Sequence, residues 1–137
     1  MIEYQYINYK FGLLESETTK WLENVISKEN FIVGDIGYIF CDDQFLLDIN
    51  RRFLQHDTFT DTITFPTSEN HKIISGEIYI SVERVKENAE KNRTSFEEEI
   101  HRVIVHGILH LIGYGDKGDD EKLVMREKED YYLSFLY

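Results

Sequence analysis

Two histidines stand four residues apart, His106 and His110, within the stretch His-Gly-Ile-Leu-His-Leu-Ile-Gly-Tyr-Gly-Asp that ends at Asp116. On a helix of about 3.6 residues per turn they project from the same side, close enough for one metal ion to bind both imidazoles. Gly113 follows and can end the helix by taking a left-handed conformation. The chain then turns back through Tyr114 and Gly115, and Asp116 arrives where a third ligand would complete an open site. Two imidazoles, one carboxylate and a water make the ligand set of a hydrolytic zinc centre, in which the water is the reagent. One Zn²⁺ ion held by His106, His110 and Asp116 is therefore expected.

The surrounding residues sharpen this reading. From Val103 to Ile112 every residue except the two histidines is apolar or glycine. Such a helix is apolar nearly all round and must run through the interior. Imidazoles there need partners, because burying a polar group unpaired costs a few kcal/mol. A shared metal satisfies both rings at once.

Other elements must position that helix. Glu3 to Phe11 alternates Tyr and Ile with polar residues and predicts a strand. Glu15 to Lys28 carries Trp21, Leu22, Val25 and Ile26 at helical spacing. Phe31 to Cys41 is β-branched and aromatic, a second strand. Asp42 caps a helix through Phe45, Leu46, Ile49 and Phe53. Thr58 to Pro66 and Gly76 to Val82 predict two more strands, and Val85 to Asn92 a short helix. Ser95 and Glu98 form a capping box that opens the histidine helix. Asp119, Asp120 and Glu121 suit the N-terminus of a last helix, where the macrodipole favours acids. The expected fold is α+β, a small mixed sheet of about four strands packed with helices, with a zincin-like metal helix.

The chain has 137 residues, 42% of them hydrophobic, with a single proline and no low-complexity linker, so residues 1–137 are expected to form one domain. No apolar run reaches membrane-spanning length, and the first residues lack the plan of a signal peptide. Cys41 is the only cysteine, which fits a reducing cytoplasm and a small core residue. The net charge of −11 argues against coating nucleic acid through bulk charge, but leaves room for a local basic groove. Arg51, Arg52, Arg84 and Lys86 are the candidates for such contacts.

With those residues in hand, the chain resembles the YbeY family of metal-dependent endoribonucleases, implicated in ribosomal RNA maturation. His106 to Tyr114 matches every fixed position of the family block His-Gly-x-Leu-His-Leu-x-Gly-Tyr-Asp-His. A second block is echoed by Ile49-Asn50, Phe53, Asp57, Thr60-Asp61 and Phe65-Pro66, and a third by Gly76-Glu77-Ile78. The resemblance implies a single-strand-specific endoribonuclease acting on rRNA, in ribosome maturation and quality control. It also implies partners in the small ribosomal subunit or its assembly proteins. It makes Asp61 and Glu77 candidates for proton transfer by family position.

The chain departs from the family pattern at the third ligand, Asp116 in place of the usual His, and at the arginine of the second block, where Leu54 stands. Arg51 lies three residues earlier on the same predicted helix, and its long side chain can cover the difference. It is therefore the candidate for the positive charge that a phosphodiester transition state needs. Two further readings stand beside the nuclease. One is a metal-stapled assembly factor without catalysis, to which Leu54 gives weight. The other is a zincin-type peptidase, which would need a glutamate general base where this chain has Gly107.

Overall fold

A computed structural model describes residues 1–56 and 60–137. The described chain runs β1 (Ile2–Tyr6), α1 (Glu15–Lys28), β2 (Ile32–Cys41), α2 (Asp43–Phe53), β3 (Thr62–Pro66), β4 (Ile73–Ser81), α3 (Val82–Asn92), α4 (Phe96–Ile112) and α5 (Asp119–Leu133). Its four strands form one sheet in the order β1-β2-β4-β3. β1, β2 and β4 are parallel, and β3 runs antiparallel on the edge of β4. This is the mixed α+β sheet expected from the sequence.

The two faces of the sheet carry different cores. Ile36, Tyr38, Phe40, Ile78 and Ile80 join one cluster with Trp21, Leu22, Val25 and Ile26 of α1 and with Ile100, Val103, Ile104 and Ile108 of α4. On the other side Cys41, Leu46 and Ile63 pack with Phe45, Ile49, Phe65 and Tyr79 under α2. Strand alternation explains the division, since neighbouring residues of β4 point to opposite faces. Register adds an aromatic ladder, because Tyr4 lies beside Tyr38 and Tyr6 beside Phe40. Their rings stack at centroid distances of 5.6 and 5.4 Å. The Tyr38 hydroxyl, wholly buried, donates to the Ile104 carbonyl at 2.7 Å and pins α4 to the sheet.

Boundaries differ from expectation in three places. β1 stops at Tyr6 because Asn8 takes a left-handed conformation (φ 60°) and turns the chain. Tyr9 and Phe11 keep the alternating pattern, but as loop side chains packed on the core. β4 begins earlier and ends at Ser81, whose hydroxyl accepts from the Arg84 amide at 3.2 Å and starts α3 at Val82 rather than Val85. β3 starts at Thr62; Thr60 and Asp61 precede it, and the expected Thr58 start and the Asp57 of the second block lie outside the described residues. Elsewhere the cap residues sit where expected, although at α4 only the Ser95 half of the capping box is present among the described bonds. Asp42 accepts from the Phe45 amide at 2.8 Å, and Ser95 accepts from the Glu98 amide at 3.0 Å. Cys41 is buried, and burial pushes its thiol up to about 12, so it is an inert core residue. Among the described residues, no helix is long and apolar enough to cross a membrane.

Candidate metal centre

Helix α4 carries the site, and its seating on β4 is set by two close approaches. A Cβ at Gly107 would lie 2.8 Å from Ile78 Cγ2, and one at Gly76 would lie 2.8 Å from Leu111 Cδ2. Glycine at both positions lets helix and strand meet closely, which sets the height of His106 and His110 over the sheet. α4 ends at Gly113, with φ 126°, a value that side-chain-bearing residues rarely adopt. The Gly113 and Tyr114 amides both return to the Leu109 carbonyl, at 3.1 and 3.0 Å. The chain is thereby reversed, and Asp116 comes back over the last turn of the helix.

The result brings together the three residues expected to hold metal. Their ligand atoms all lie within 4.8 Å of one another. Asp116 Oδ2 stands 3.4 Å from His106 Nε2 and 3.2 Å from His110 Nε2. Two ligands of one tetrahedral zinc at ordinary bond lengths stand about 3.3 Å apart, so these spacings fit a shared ion. The donor set of two imidazoles and one carboxylate also matches zinc chemistry. The side chains of His110 and Asp116 are 30% and 41% exposed, which leaves the group open to solvent.

Behind the ligands lies a second layer that sequence reasoning did not reveal. His106 Nδ1 stands 2.6 Å from Glu129 Oε2, on α5. Arg102, one turn before His106 on α4, donates from Nη1 to Glu129 Oε1 at 2.9 Å and from Nη2 to Asp130 Oδ1 at 2.7 Å. Burial disfavours the His106 imidazolium, but the Glu129 hydrogen bond and charge outweigh it. Without metal, His106 therefore titrates above the ordinary histidine range. Burial also raises the Arg102 cost of charge, and its two carboxylate partners reverse that and hold its pKa up.

The turn is moored from a third side. The Tyr114 hydroxyl donates to Glu29 Oε1 at 2.6 Å, and Lys128 Nζ donates to Glu29 Oε2 at 3.0 Å. The Tyr132 hydroxyl donates to Glu29 Oε2 as well. Glu29 is the residue that follows α1, so the loop carrying Asp116 is tied to α1 and α5 together.

The remaining candidates separate. Asp61 is half-buried before β3 and interacts electrostatically with His106; burial raises its pKa, with the His106 charge opposing. It belongs to the neighbourhood of the site. Glu77 does not. Its neighbours Gly76 and Ile78 face α4, whereas Glu77 is exposed and takes the hydroxyl of Tyr79, which packs on Phe45 and Phe65 beneath α2. Strand alternation turns Glu77 to the face of β4 opposite Gly76 and Ile78. Arg51 is an exposed residue of α2, 4.0 Å from Asp48, and Arg52 beside it is exposed too. Arg84 is engaged by Asp43 and Glu87 at 2.9 and 2.8 Å, and Lys86 lies over the Tyr9 and Phe96 rings.

Comparison with known proteins identifies the family. The family model for Endoribonuclease YbeY matches residues 3–137. The Endoribonuclease YbeY of Flavobacterium psychrophilum is 50% identical over 123 residues, covering 90% of this chain and 87% of that protein. That of Karelsulcia muelleri is 47% identical over 137 residues, covering 99% and 96%. The solution structure of a Thermotoga maritima protein superposes with a TM-score of 0.69 at 33% identity, covering 97% of this chain and 87% of that one. A family match over residues 3–137, with relatives at 47–50% identity over nearly the whole length, places this chain in the YbeY family of endoribonucleases.

Proposed function

We propose that the protein is a zinc-dependent endoribonuclease that cuts single-stranded RNA, and that it acts on ribosomal RNA during maturation and quality control of the small subunit in the cytoplasm. Family membership supports the phosphodiester chemistry. The observation that carries the metal dependence is the convergence of His106, His110 and Asp116 in an open group. A bound ion would supply Lewis acidity and lower the pKa of a water at that opening.

The chain's own residues do the rest. His106 is held from behind by Glu129, and the turn that leads to Asp116 is moored through Tyr114 to Glu29, so the ligand group is preset for a phosphate. Asp61 is the half-buried carboxyl beside His106 whose raised pKa suits it to hold a proton for the leaving oxygen. Arg51 offers the positive charge for the phosphodiester, in place of the arginine that Leu54 displaces. A non-catalytic assembly role keeps one supporting observation, namely Leu54 itself, which ends α2 as its C-cap.

The deciding experiment incubates the full chain, with its metal quantified, with single-stranded and duplex RNA of the same sequence. Cleavage of the single strand alone is expected, with loss of both cleavage and zinc in His110→Ala. In parallel, Arg51→Ala should lose cleavage while keeping zinc, and Arg52→Ala should be much less affected. A metal-loaded wild type that leaves both RNAs intact would overturn the nuclease reading in favour of the assembly role. Equal activity in the two arginine variants would remove Arg51 from the mechanism.

A further inference from the structure

The structure assigns Glu129 as a positioning residue for the metal centre, with Arg102 as the group that holds Glu129 in place; this rests on the metal-centre reading above. A carboxylate only accepts hydrogen bonds, so at 2.6 Å the proton between His106 and Glu129 is the one on Nδ1. With a metal bound, the ring's one proton is then on Nδ1, and Nε2 is the nitrogen turned to the site shared with Asp116 and His110. Glu129 itself is 6% exposed, on the buried side of α5, so it has little freedom to leave this position.

Arg102 settles which way the carboxylate is used. Its Nη1 takes Glu129 Oε1 while Oε2 faces the imidazole, so the two oxygens have separate tasks. Its Nη2 is anchored on Asp130, the next residue of α5. The guanidinium thus bridges α4 to α5 with two forked bonds and fixes the rotamer of Glu129. His110 has no such support among its described contacts, whose acidic partner is Asp116 alone. The two histidines are therefore unequal: His106 is a preset ligand, and His110 lies on the solvent side.

Two measurements on the full-length protein test this. The first is the tautomer of His106 in the zinc-loaded wild type, read from proton–nitrogen correlations of the imidazoles by NMR. The Nδ1–H form is expected; an Nε2–H form would overturn the proposal without any variant. The second is zinc affinity by competition with a chelating dye. Glu129→Ala should weaken zinc by about 10- to 100-fold and release the tautomer. Glu129→Gln, whose amide oxygen can still accept from Nδ1–H, should keep the tautomer and recover most of the affinity. Arg102→Ala should fall between them. Unchanged zinc affinity in folded Glu129→Ala would overturn the proposal, and if that variant does not fold, a Glu129→Gln protein with a lost tautomer would do the same. His110→Ala is the control for the underlying reading. If it too keeps full zinc affinity, the metal centre is wrong, whereas loss there beside no effect at Glu129 would sink the positioning role alone.

Discussion

Replacing Glu29 by alanine should reach the metal centre from a distance. Its carboxylate, 9% exposed, receives the hydroxyls of Tyr114 and Tyr132 and the ammonium of Lys128. Hydrogen bonds to a charged acceptor contribute about 1.5–3 kcal/mol each. The Lys128 bond counts for little, because that side chain is 34% exposed. The two tyrosines then set the scale, at about 3–4 kcal/mol, since Tyr132 is left with a buried hydroxyl lacking its acceptor. For a chain of this size that corresponds to a fall in Tm of ~10–15 °C.

The loss should depend on pH with a definite sign. Burial alone would raise the Glu29 pKa, but the three donors outweigh it and hold the carboxyl below its ordinary range. A group whose folded pKa is depressed contributes fully above its unfolded pKa, and loses that contribution as pH falls through the folded value. The gap between wild type and Glu29→Ala should be widest near neutrality and narrow as pH falls into the acid range. Urea unfolding can follow the single tryptophan, Trp21, whose indole donates to the Tyr132 carbonyl at 2.9 Å. Because Tyr114 lies in the turn that carries Asp116, the variant should also bind zinc more weakly. Equal unfolding midpoints near pH 7, or a gap that stays constant down to about pH 3, would refute the assigned role of Glu29.

Two further variants probe the seating of α4. Gly107→Ala places a methyl 2.8 and 3.0 Å from two carbons of the fully buried Ile78. Overpacking should exceed the helix-propensity gain of about 1 kcal/mol and leave a net loss of about 1–2 kcal/mol; urea unfolding checks it, and a more stable variant would contradict the close approach. Tyr38→Phe removes the hydroxyl bond to Ile104 and should cost about 1–2 kcal/mol, measured in the same way, with zinc content retained.

How much of this was legible beforehand depends on distance along the chain. Helix α1, the cap of α2 at Asp42 and the cap of α4 at Ser95 are local signals, and each appears where the residues place it. The ligand group is local as well, since one helix turn and one glycine reversal connect His106 to Asp116. Glu129 is different. It lies 23 residues beyond His106 in a helix rich in acids, and nothing distinguishes it there from Glu127 or Asp130. Only the packing of α5 against α4 selects it. Glu29 and Arg102 are hidden for the same reason. The placement of Glu77 was open to a check that strand alternation provides: Gly76 and Ile78 flank it, and both turn out to face α4. The end of β1 was obscured because Tyr9 and Phe11 extend the apolar rhythm past the point where Asn8 breaks the strand.

The contact between Gly107 and Ile78 also bears on what this scaffold can become. A zincin-type peptidase differs at the metal helix by one residue, a glutamate at the position of Gly107, and a single substitution would seem to join the two chemistries. Here that step is costly, because even a first side-chain carbon at 107 meets Ile78 at 2.8 Å, before any carboxylate is accommodated. The position also points toward Ile78 in the sheet. Moving between the two activities would require Ile78 to give way as well, and with it part of the packing that holds both histidines in place. The shared spacing of the metal helix thus gives two enzyme lineages the look of near neighbours in sequence, while the strand beneath keeps them far apart as evolutionary destinations.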